Sequence, residues 1–471
     1  MPSDLGADAE PNDVGLLSPV SIGAGDAASD RVFLAHLVEA ELALTAALVN
    51  AGLAPRLAGV AVEALRASPP PIDLAVLARD SVAGGNPVIP LIPLLKARVA
   101  EAVGGGGSAD AADRGTMQAE SVAGWVHKGA TSQDVLDSAL MTLGRDAAAD
   151  VVENLWRAGG ALEELAHAHR ADPAAARTLT QHGVPTTLGL KAAGWLGAIA
   201  HARRRLADIA ARLPAQLAGA GGTLAAFVEL FGADAAAELP ARYAHELGLA
   251  VPVAPWHTDR WPVTELGDAL AAVVAAVGMF GSDIATLART EIGEVSFGAG
   301  GGSSAMPQKQ NPVDAVLLRS AALRAPGLAA QLHLAAGLAV DERPDGAWHA
   351  EWPVLQELLR LALGATDRAA HLAAGLSFDV ARARANLDLT EGLIVAERLG
   401  LVLVPLIGRA RFSALIAAAA GGDDLSSLVR ALPEVSALDV EALLDPARYL
   451  GLAPSLVDAA VRAATKDGIR P

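Results

Sequence analysis

Pro262-VTELGDALAAVVAAVGMFGSDIAT-Leu287 is the stretch whose period decides the fold. Its apolar residues Leu266, Leu270, Val273, Val277, Phe280, Ile284 and Leu287 follow one another at alternating steps of four and three. A 3.5-residue period draws one apolar seam along a helix, the pattern of helices packed nearly parallel in a bundle. A second run from Gln133 carries Leu136, Leu140, Leu143, Ala147, Val151, Leu155, Ala158, Leu162 and Leu165, with no proline before Pro173. A third starts near Pro185 and passes through Leu188, Lys191, Trp195 and Ile199 toward Leu206. The expected fold is all-α. At 1.5 Å per residue the longest helices reach or exceed about 40 Å, more than a compact single domain needs. Such lengths suit chains that associate side by side; a monomeric bundle is the alternative.

Outward from these helices the chain divides into four expected parts. Residues 1–26 are rich in Gly, Pro, Asp and Ala without a period and read as a mobile arm. Residues 27–114 form a small helical domain, with helices over 29–53 (Asp30 as N-cap, Gly52 as stop) and 57–67, a break at Pro69-Pro70-Pro71, and a helix through Lys96. Residues 115–353 form the central long-helix domain, and 354–471 a third domain of shorter helices at about 354–374, 379–401, 405–420 and 440–444. No alternating strand pattern of useful length and no internal repeat is present.

Composition agrees with this reading. Across 471 residues, aromatics are 3% and apolar residues 52%, so the core is filled by Ala, Leu and Val, a mixture that favours close-packed helices over sheets. No long apolar run free of charges and breakers stands out, and residues 1–13 are acidic where a signal peptide would be basic. A cytoplasmic protein without a membrane partner is expected. The absence of cysteine excludes disulfides, thiolate metal sites and a cysteine nucleophile. A net charge of -17 without clustered Lys and Arg argues against nucleic acid, and it requires an anionic substrate to be drawn in by local cations.

Four polar segments interrupt the helices. The first is Gly298-Ala-Gly-Gly-Gly-Ser303-Ser304-Ala305-Met306-Pro307-Gln308-Lys309-Gln310-Asn311-Pro312. Its glycines alone would fit a linker, but they also permit a catalytic loop, set at 294–312, that folds over a ligand with Ser303. Lys309 and Asn311 add a cation and an amide for a carboxylate. Next is His127-Lys128-Gly129-Ala130-Thr131-Ser132-Gln133-Asp134, at the start of a long helix. One hydroxyl there suffices as a cap, while Thr131, Ser132 and Gln133 together make a donor set where the helix dipole favours an anion. The others are Arg177-Thr178-Leu179-Thr180-Gln181 and Pro255-Trp256-His257-Thr258-Asp259-Arg260; His257 alone would read as a satisfied structural histidine.

The string Gly-Ser-Ser-x-Met-Pro-x-Lys-x-Asn-Pro over 302–312 resembles the signature of the fumarase/aspartase superfamily. Thr131-Ser132-Gln133-Asp134 is similar to its first block, Arg177-Thr178-x-x-Gln181 to its second, and Gln216 to Thr223 to a connecting block. The resemblance implies three helical domains and a homotetramer with a twenty-helix core, in which each active site draws its blocks from three subunits. It also implies proton transfer at the carbon beside a carboxylate through an enediolate. Ser303 is then the proton carrier, with Ser304 less suited. Lys309, Asn311, Thr131 and Ser132 hold the enediolate, where each preorganised donor is worth about 2.7 to 4 kcal/mol by analogy with oxyanion holes. Asn86, Gln133, Thr178, Gln181, Gln216 and Met306 complete the substrate-binding set. No cofactor and no metal is expected.

Two positions narrow the resemblance. Most members carry a His at the place of Leu179 and a Glu at the place of Val316, a relay that this chain lacks. Within the superfamily the chain therefore resembles the 3-carboxy-cis,cis-muconate cycloisomerases, which close a lactone by attack of an already ionised carboxylate. Gly84-Gly85-Asn86-Pro87-Val88-Ile89-Pro90-Leu91 and the segment from Asp341 to Trp352, with Trp348 and Trp352, point the same way; Val340-Asp341-Glu342-Arg343 departs mildly from the usual pattern. A tricarboxylate needs cations, for which Lys309, Arg343, Arg177, Lys128 and His127 are the candidates, although Lys128 is most simply a solvated charge. The alternative is a lyase of the same scaffold that expels a small group, an amine or nitrite, from a succinate-type substrate. A catalytically silent protein on this scaffold is disfavoured by the intact Ser303, Lys309 and Asn311.

Overall fold

The computed structural model describes residues 14–104, 119–298, 301–302, 306 and 309–466. Residues 1–13 of the expected arm, most of the glycine tract after Gly104, and both Ser303 and Ser304 lie outside the described residues. Helices dominate what is described, and the strands form three two-stranded pairs, so the chain is all-α as expected.

The long helices are Ser132–Ala168, Leu188–Ala210, Trp261–Leu287, Val313–Gly337 and Gly346–Gly375. The first has 37 residues, about 55 Å at the standard rise. All seven seam positions of Trp261–Leu287 are buried, Leu266 through Ile284 completely. Two further features of this helix bring a neighbour close. A methyl added at Gly281 would stand 2.7 Å from Leu318 Cβ, and one at Gly278 would overlap Ala322, so these glycines let Trp261–Leu287 and Val313–Gly337 approach nearly backbone to backbone.

Smaller helices precede and follow. Asp30–Asn50, Arg56–Ala67, Leu74–Gly84 and Val88–Gly104 form the first group. Ser29 holds the N-cap position of the first, and Asp30 lies in its first turn, where its charge suits the dipole. Gly346–Gly375 runs through Pro353, where sequence suggested a break; proline removes one hydrogen bond, which buried Trp348, Leu355, Leu358 and Leu359 on either side outweigh. Pro405 likewise lies inside Ala396–Ile407. Toward the C-terminus, Leu387, Ile394, Val395, Leu399, Leu403, Val429 and Val435 share one apolar core.

The chain forms two compact units. One comprises Met1–Val152, Arg205–Ala272 and Leu323–Gly364, the other Glu153–Arg204, Val273–Ala322 and Ala365–Pro471. Two helical stretches, Ala24–Asn50 and Trp261–Leu287, are long and apolar enough to cross a membrane by composition, and 67% and 50% of their apolar windows are buried inside the fold.

Candidate active site

In the first unit the site is organised by a carboxylate at the start of a helix. Thr131 N–H donates to Asp134 Oδ2 (3.0 Å), and Asp134 N–H donates to the Thr131 carbonyl (3.0 Å), closing the first turn of Ser132–Ala168. This uses capping-box spacing, with the acidic side chain reaching back to the cap residue. Asp134, fully buried, also accepts from Ala218 N–H and Gly219 N–H (2.9 Å each) and lies 3.0 Å from His257 Nε2. One carboxylate thereby draws together the helix start, the connecting block and the Trp256-His257 turn. The Asp134 N–H is taken by the Thr131 carbonyl, so the Thr131 hydroxyl is left to accept from Arg343 Nη2 at 2.5 Å. Arg343 Nη2 is also 3.4 Å from the Ala220 carbonyl. A cation and a hydroxyl thus meet at a helix N-terminus, with Ser132 half-buried beside them, which is a donor set for an anion.

Beneath this lies a buried charged frame. Arg260 donates through Nη1 to Asp137 Oδ2 (2.7 Å) and through Nη2 to Asp137 Oδ1 (3.0 Å), and it pairs with Glu351. It also donates to the Trp256 carbonyl (3.1 Å), so the frame holds the turn that carries His257. Trp348 Nε1 completes the shell on Asp137 Oδ1 (2.9 Å). Two carboxylates share one guanidinium here. Burial pushes the Glu351 carboxyl up to about 7, with the Asp137 charge adding to it and Arg260 opposing.

In the second unit, strands Pro173–Thr178 and Gln181–Thr187 form a hairpin. Its two tip residues, Leu179 (φ 48) and Thr180 (φ 75), are both left-handed, the geometry of a type I′ turn that glycine or asparagine normally supplies. Leu179 is 96% exposed, and Thr178 and Gln181 are exposed on either side of it. Arg177 holds Glu294 through Nη1 to Oε2 (3.0 Å) and Nη2 to Oε1 (2.5 Å), and Asn386 Nδ2 adds a third bond to Oε1 (2.8 Å). Burial raises the Glu294 carboxyl, but these bonds outweigh it and hold the group below its ordinary range. Burial depresses Lys191 and His182 nearby, and the Arg177 charge adds to that effect in both.

The loop stem belongs to the same unit. Val295–Phe297 pairs with Leu376–Phe378, and Gly301–Gly302 pairs with Gln310–Asn311. Lys309 is exposed, Asn311 half-buried and Met306 43% exposed. Past the stem, Asp314 lies 2.8 Å from His371 Nδ1 and 3.7 Å from Arg368. Val316 is 52% exposed.

The expected residues fall into three kinds. Thr131, Ser132 and Arg343 are brought together in the first unit, while Lys309, Asn311 and Met306 border the loop, and Thr178 and Gln181 flank the hairpin tip, in the second. Others are committed to the protein itself. Asn86 Oδ1 accepts from Val88 N–H (3.1 Å) and caps the helix Val88–Gly104. His127 Nδ1 is 2.7 Å from Glu41 Oε1. Lys128 lies over the Trp125 ring at 5.7 Å. Gln133 Nε2 donates to the His257 carbonyl (2.9 Å), and Gln216 Oε1 accepts from Trp256 N–H (2.9 Å); both side chains are fully buried and brace the turn through one end of the amide, while Gln133 Oε1 and Gln216 Nε2 have no hydrogen-bond partner among the described residues. Trp348 is a core residue, 3% exposed. Sequence reasoning passed over Asp134 and Glu294 as functional groups. The Thr131-x-x-Asp134 spacing is a signal for the first; nothing local links Glu294 to Arg177, 117 positions away. Among the described residues no group of three or more His, Asp or Glu could hold a metal ion.

Long parallel-seamed helices, a helix-start donor set and a short glycine-stemmed loop define an acid–base lyase scaffold. The chain belongs to the lyase family of the fumarase/aspartase superfamily, whose pattern residues 91–327 match. It is 48% identical over 467 residues to the nitrosuccinate lyase of Streptomyces davaonensis, across 95% of this chain and 94% of that protein. It is 40% identical over 447 residues to the 3-carboxy-cis,cis-muconate cycloisomerase of Pseudomonas aeruginosa, across 92% of each. The crystal structure of the 3-carboxy-cis,cis-muconate lactonizing enzyme from Pseudomonas putida superimposes with a TM-score of 0.83 at 36% identity, covering 96% of this chain and 99% of that one.

Proposed function

We propose that this chain is a lyase that expels nitrite from a nitrosuccinate-type dicarboxylate. In this reading Ser303 removes the proton from the carbon beside one carboxylate. The electron pair is held as an enediolate by Lys309, Asn311, Thr131, Ser132 and Arg343, then forms the new double bond as the carbon–nitrogen bond breaks and nitrite departs with its electrons. An unsaturated dicarboxylate remains. The observation that carries the reading is the apolar pair at the relay positions, Leu179 and Val316. A leaving amine or hydroxide needs a general acid in the transition state, whereas nitrite is a weak base and leaves without one. Similarity over nearly the whole length to nitrosuccinate lyase supports the choice of leaving group.

A second reading, lactone closure of 3-carboxy-cis,cis-muconate, is supported by the superposition on the lactonizing enzyme and by the same missing relay, since an internal carboxylate needs no base. In either reading the site is completed between copies of the chain in a homotetramer, as exposed Met279, Leu323 and Leu334 on the long helices favour. One experiment separates the readings: offer both substrates to the full chain and to Ser303→Ala, following nitrite by a diazo colour reaction and the conjugated diene by absorbance. Nitrite formation that Ser303→Ala abolishes supports the first reading. Diene loss without nitrite supports the second, and turnover of neither refutes both.

A further inference from the structure

One buried ion pair in the second unit joins two of the segments on which the proposed chemistry depends. Glu294 ends the turn after Trp261–Leu287, with its N–H on the Leu287 carbonyl (3.0 Å), and opens strand Val295–Phe297. Its side chain is fully buried, and its carbonyl accepts from Asp379 N–H (3.0 Å). The turn before it is held by Arg382, which donates to the Ile292 and Glu291 carbonyls (3.0 and 2.9 Å). The start of the loop stem is therefore fixed from several directions, and Glu294 is the point where Arg177 attaches to it.

Arg177 in turn is the last residue but one of its strand, paired in register with His182, and Thr178 after it pairs with Gln181 to close the hairpin tip. That tip is strained, because Leu179 and Thr180 both hold left-handed backbone angles. Such conformations persist only where surrounding structure over-determines them. A bidentate guanidinium–carboxylate bond supplies direction as well as attraction, since both planes must align. It also engages both Nη groups of Arg177 with protein.

We propose that Arg177 and Glu294 act as a single positioning unit that fixes the Thr178–Gln181 tip against the start of the loop stem leading to Lys309 and Asn311, and that Arg177 is not the cation that takes the substrate carboxylate. This rests on the lyase reading above. It replaces the expectation that Arg177 binds the polycarboxylate directly.

The test is a double-mutant cycle on the full chain with Arg177→Gln, Glu294→Gln and the pair, read in two ways. On the substrate that wild type turns over, each single change should lower kcat about a hundredfold, as an ångström of misplacement does, with KM within about threefold. The double variant should be no worse than the weaker single, because the two residues form one unit. Amide hydrogen exchange, which needs no substrate, should speed up to the same extent in both singles at residues 178–182 and 295–298. Arg177→Lys and Glu294→Asp, which keep the charges, should recover part of the rate and serve if the glutamine variants do not fold. A rise in KM of about tenfold or more in Arg177→Gln that Glu294→Gln lacks would overturn the proposal, since removing uniform binding raises KM alone. So would multiplicative kinetic effects or unchanged exchange. If wild type turns over neither substrate, the lyase reading fails by itself, and linked exchange still supports the positioning unit while unlinked exchange refutes it.

Discussion

Glu351→Gln should abolish a pH dependence of stability that the wild-type chain carries. The Glu351 carboxyl is almost fully enclosed, shares Arg260 with Asp137, and is pushed from 4.5 to about 7, first by burial. A carboxyl whose folded value lies above its unfolded value is protonated in the folded chain while the unfolded chain has already lost the proton. Its stabilising effect is therefore complete below about pH 4.5 and is lost as pH rises through about 7. The two values differ by about 2.5 units, and at about 1.4 kcal/mol per unit this is about 3 kcal/mol across that window. Glutamine keeps the volume and one acceptor for Arg260 but has no proton to release. Guanidinium unfolding of both proteins at pH 5, 6, 7 and 8, at one protein concentration so that association cancels, gives the difference directly. The gap between wild type and variant should move by about 2 to 3 kcal/mol against the wild type as pH rises. Parallel stability curves, within about 0.5 kcal/mol throughout, would show that Glu351 ionises in the folded chain as freely as in the unfolded one, and the argument from burial would be wrong.

Three other changes have defined outcomes. Arg343→Gln removes a charged donor beside the Thr131 hydroxyl, and steady-state kinetics should show kcat/KM reduced roughly 10- to 150-fold, the worth of a hydrogen bond to a charged group; an unchanged value removes Arg343 from the site. Leu179→Gly relaxes a left-handed leucine whose backbone costs about 1–2 kcal/mol, part of which the freer unfolded chain takes back, so the unfolding free energy read by denaturant titration should hold or rise by up to about 1 kcal/mol. A clear loss there would mean that the tip is not strained. Gly278→Val places a branched side chain against Ala322 and should cost at least about 1–3 kcal/mol of stability, read by thermal unfolding, whereas Gly327→Ala in the open should not.

What the sequence made legible follows from the range of the interactions concerned. Leu266 to Leu287 announce their helix because the seam period is local and every one of the seven positions is buried. Pro353 misled because a proline's effect depends on what packs around it, and here buried neighbours on both sides carry the helix through. The cap at Asn86 and the box at Asp134 are local in spacing, but the convergence of Ala218, Gly219 and His257 on the Asp134 carboxylate is not. Glu351 at Arg260, 91 positions apart, and Glu294 at Arg177 have no periodic signature at all. Gln133 and Gln216 each brace the Trp256-His257 turn through one end of the amide, a long-range contact that a polar residue in a signature block does not announce.

The division of labour among these carboxylates bears on why a site without a His–Glu relay can still be well ordered. The donors that would face a substrate, Thr131 and Arg343, are weakly placed by themselves, one a short side chain at a helix start and the other a long flexible one. The Asp134 carboxylate holds the Thr131 N–H while the Asp134 N–H takes the Thr131 carbonyl, and the Arg260 frame fixes the Trp256-His257 turn on which Gln133 and Gln216 close. These buried charges hold the helix start and the turn beside it, so Thr131 stands on a braced frame. Preorganised donors need no reorientation as charge develops, which is the largest single source of stabilisation for an enediolate. On the lyase reading proposed above, the substrate need only bring a leaving group, or an internal nucleophile, that needs no general acid. Apolar side chains at Leu179 and Val316 are compatible with that demand, and a histidine there would add a titrating group with no proton to deliver.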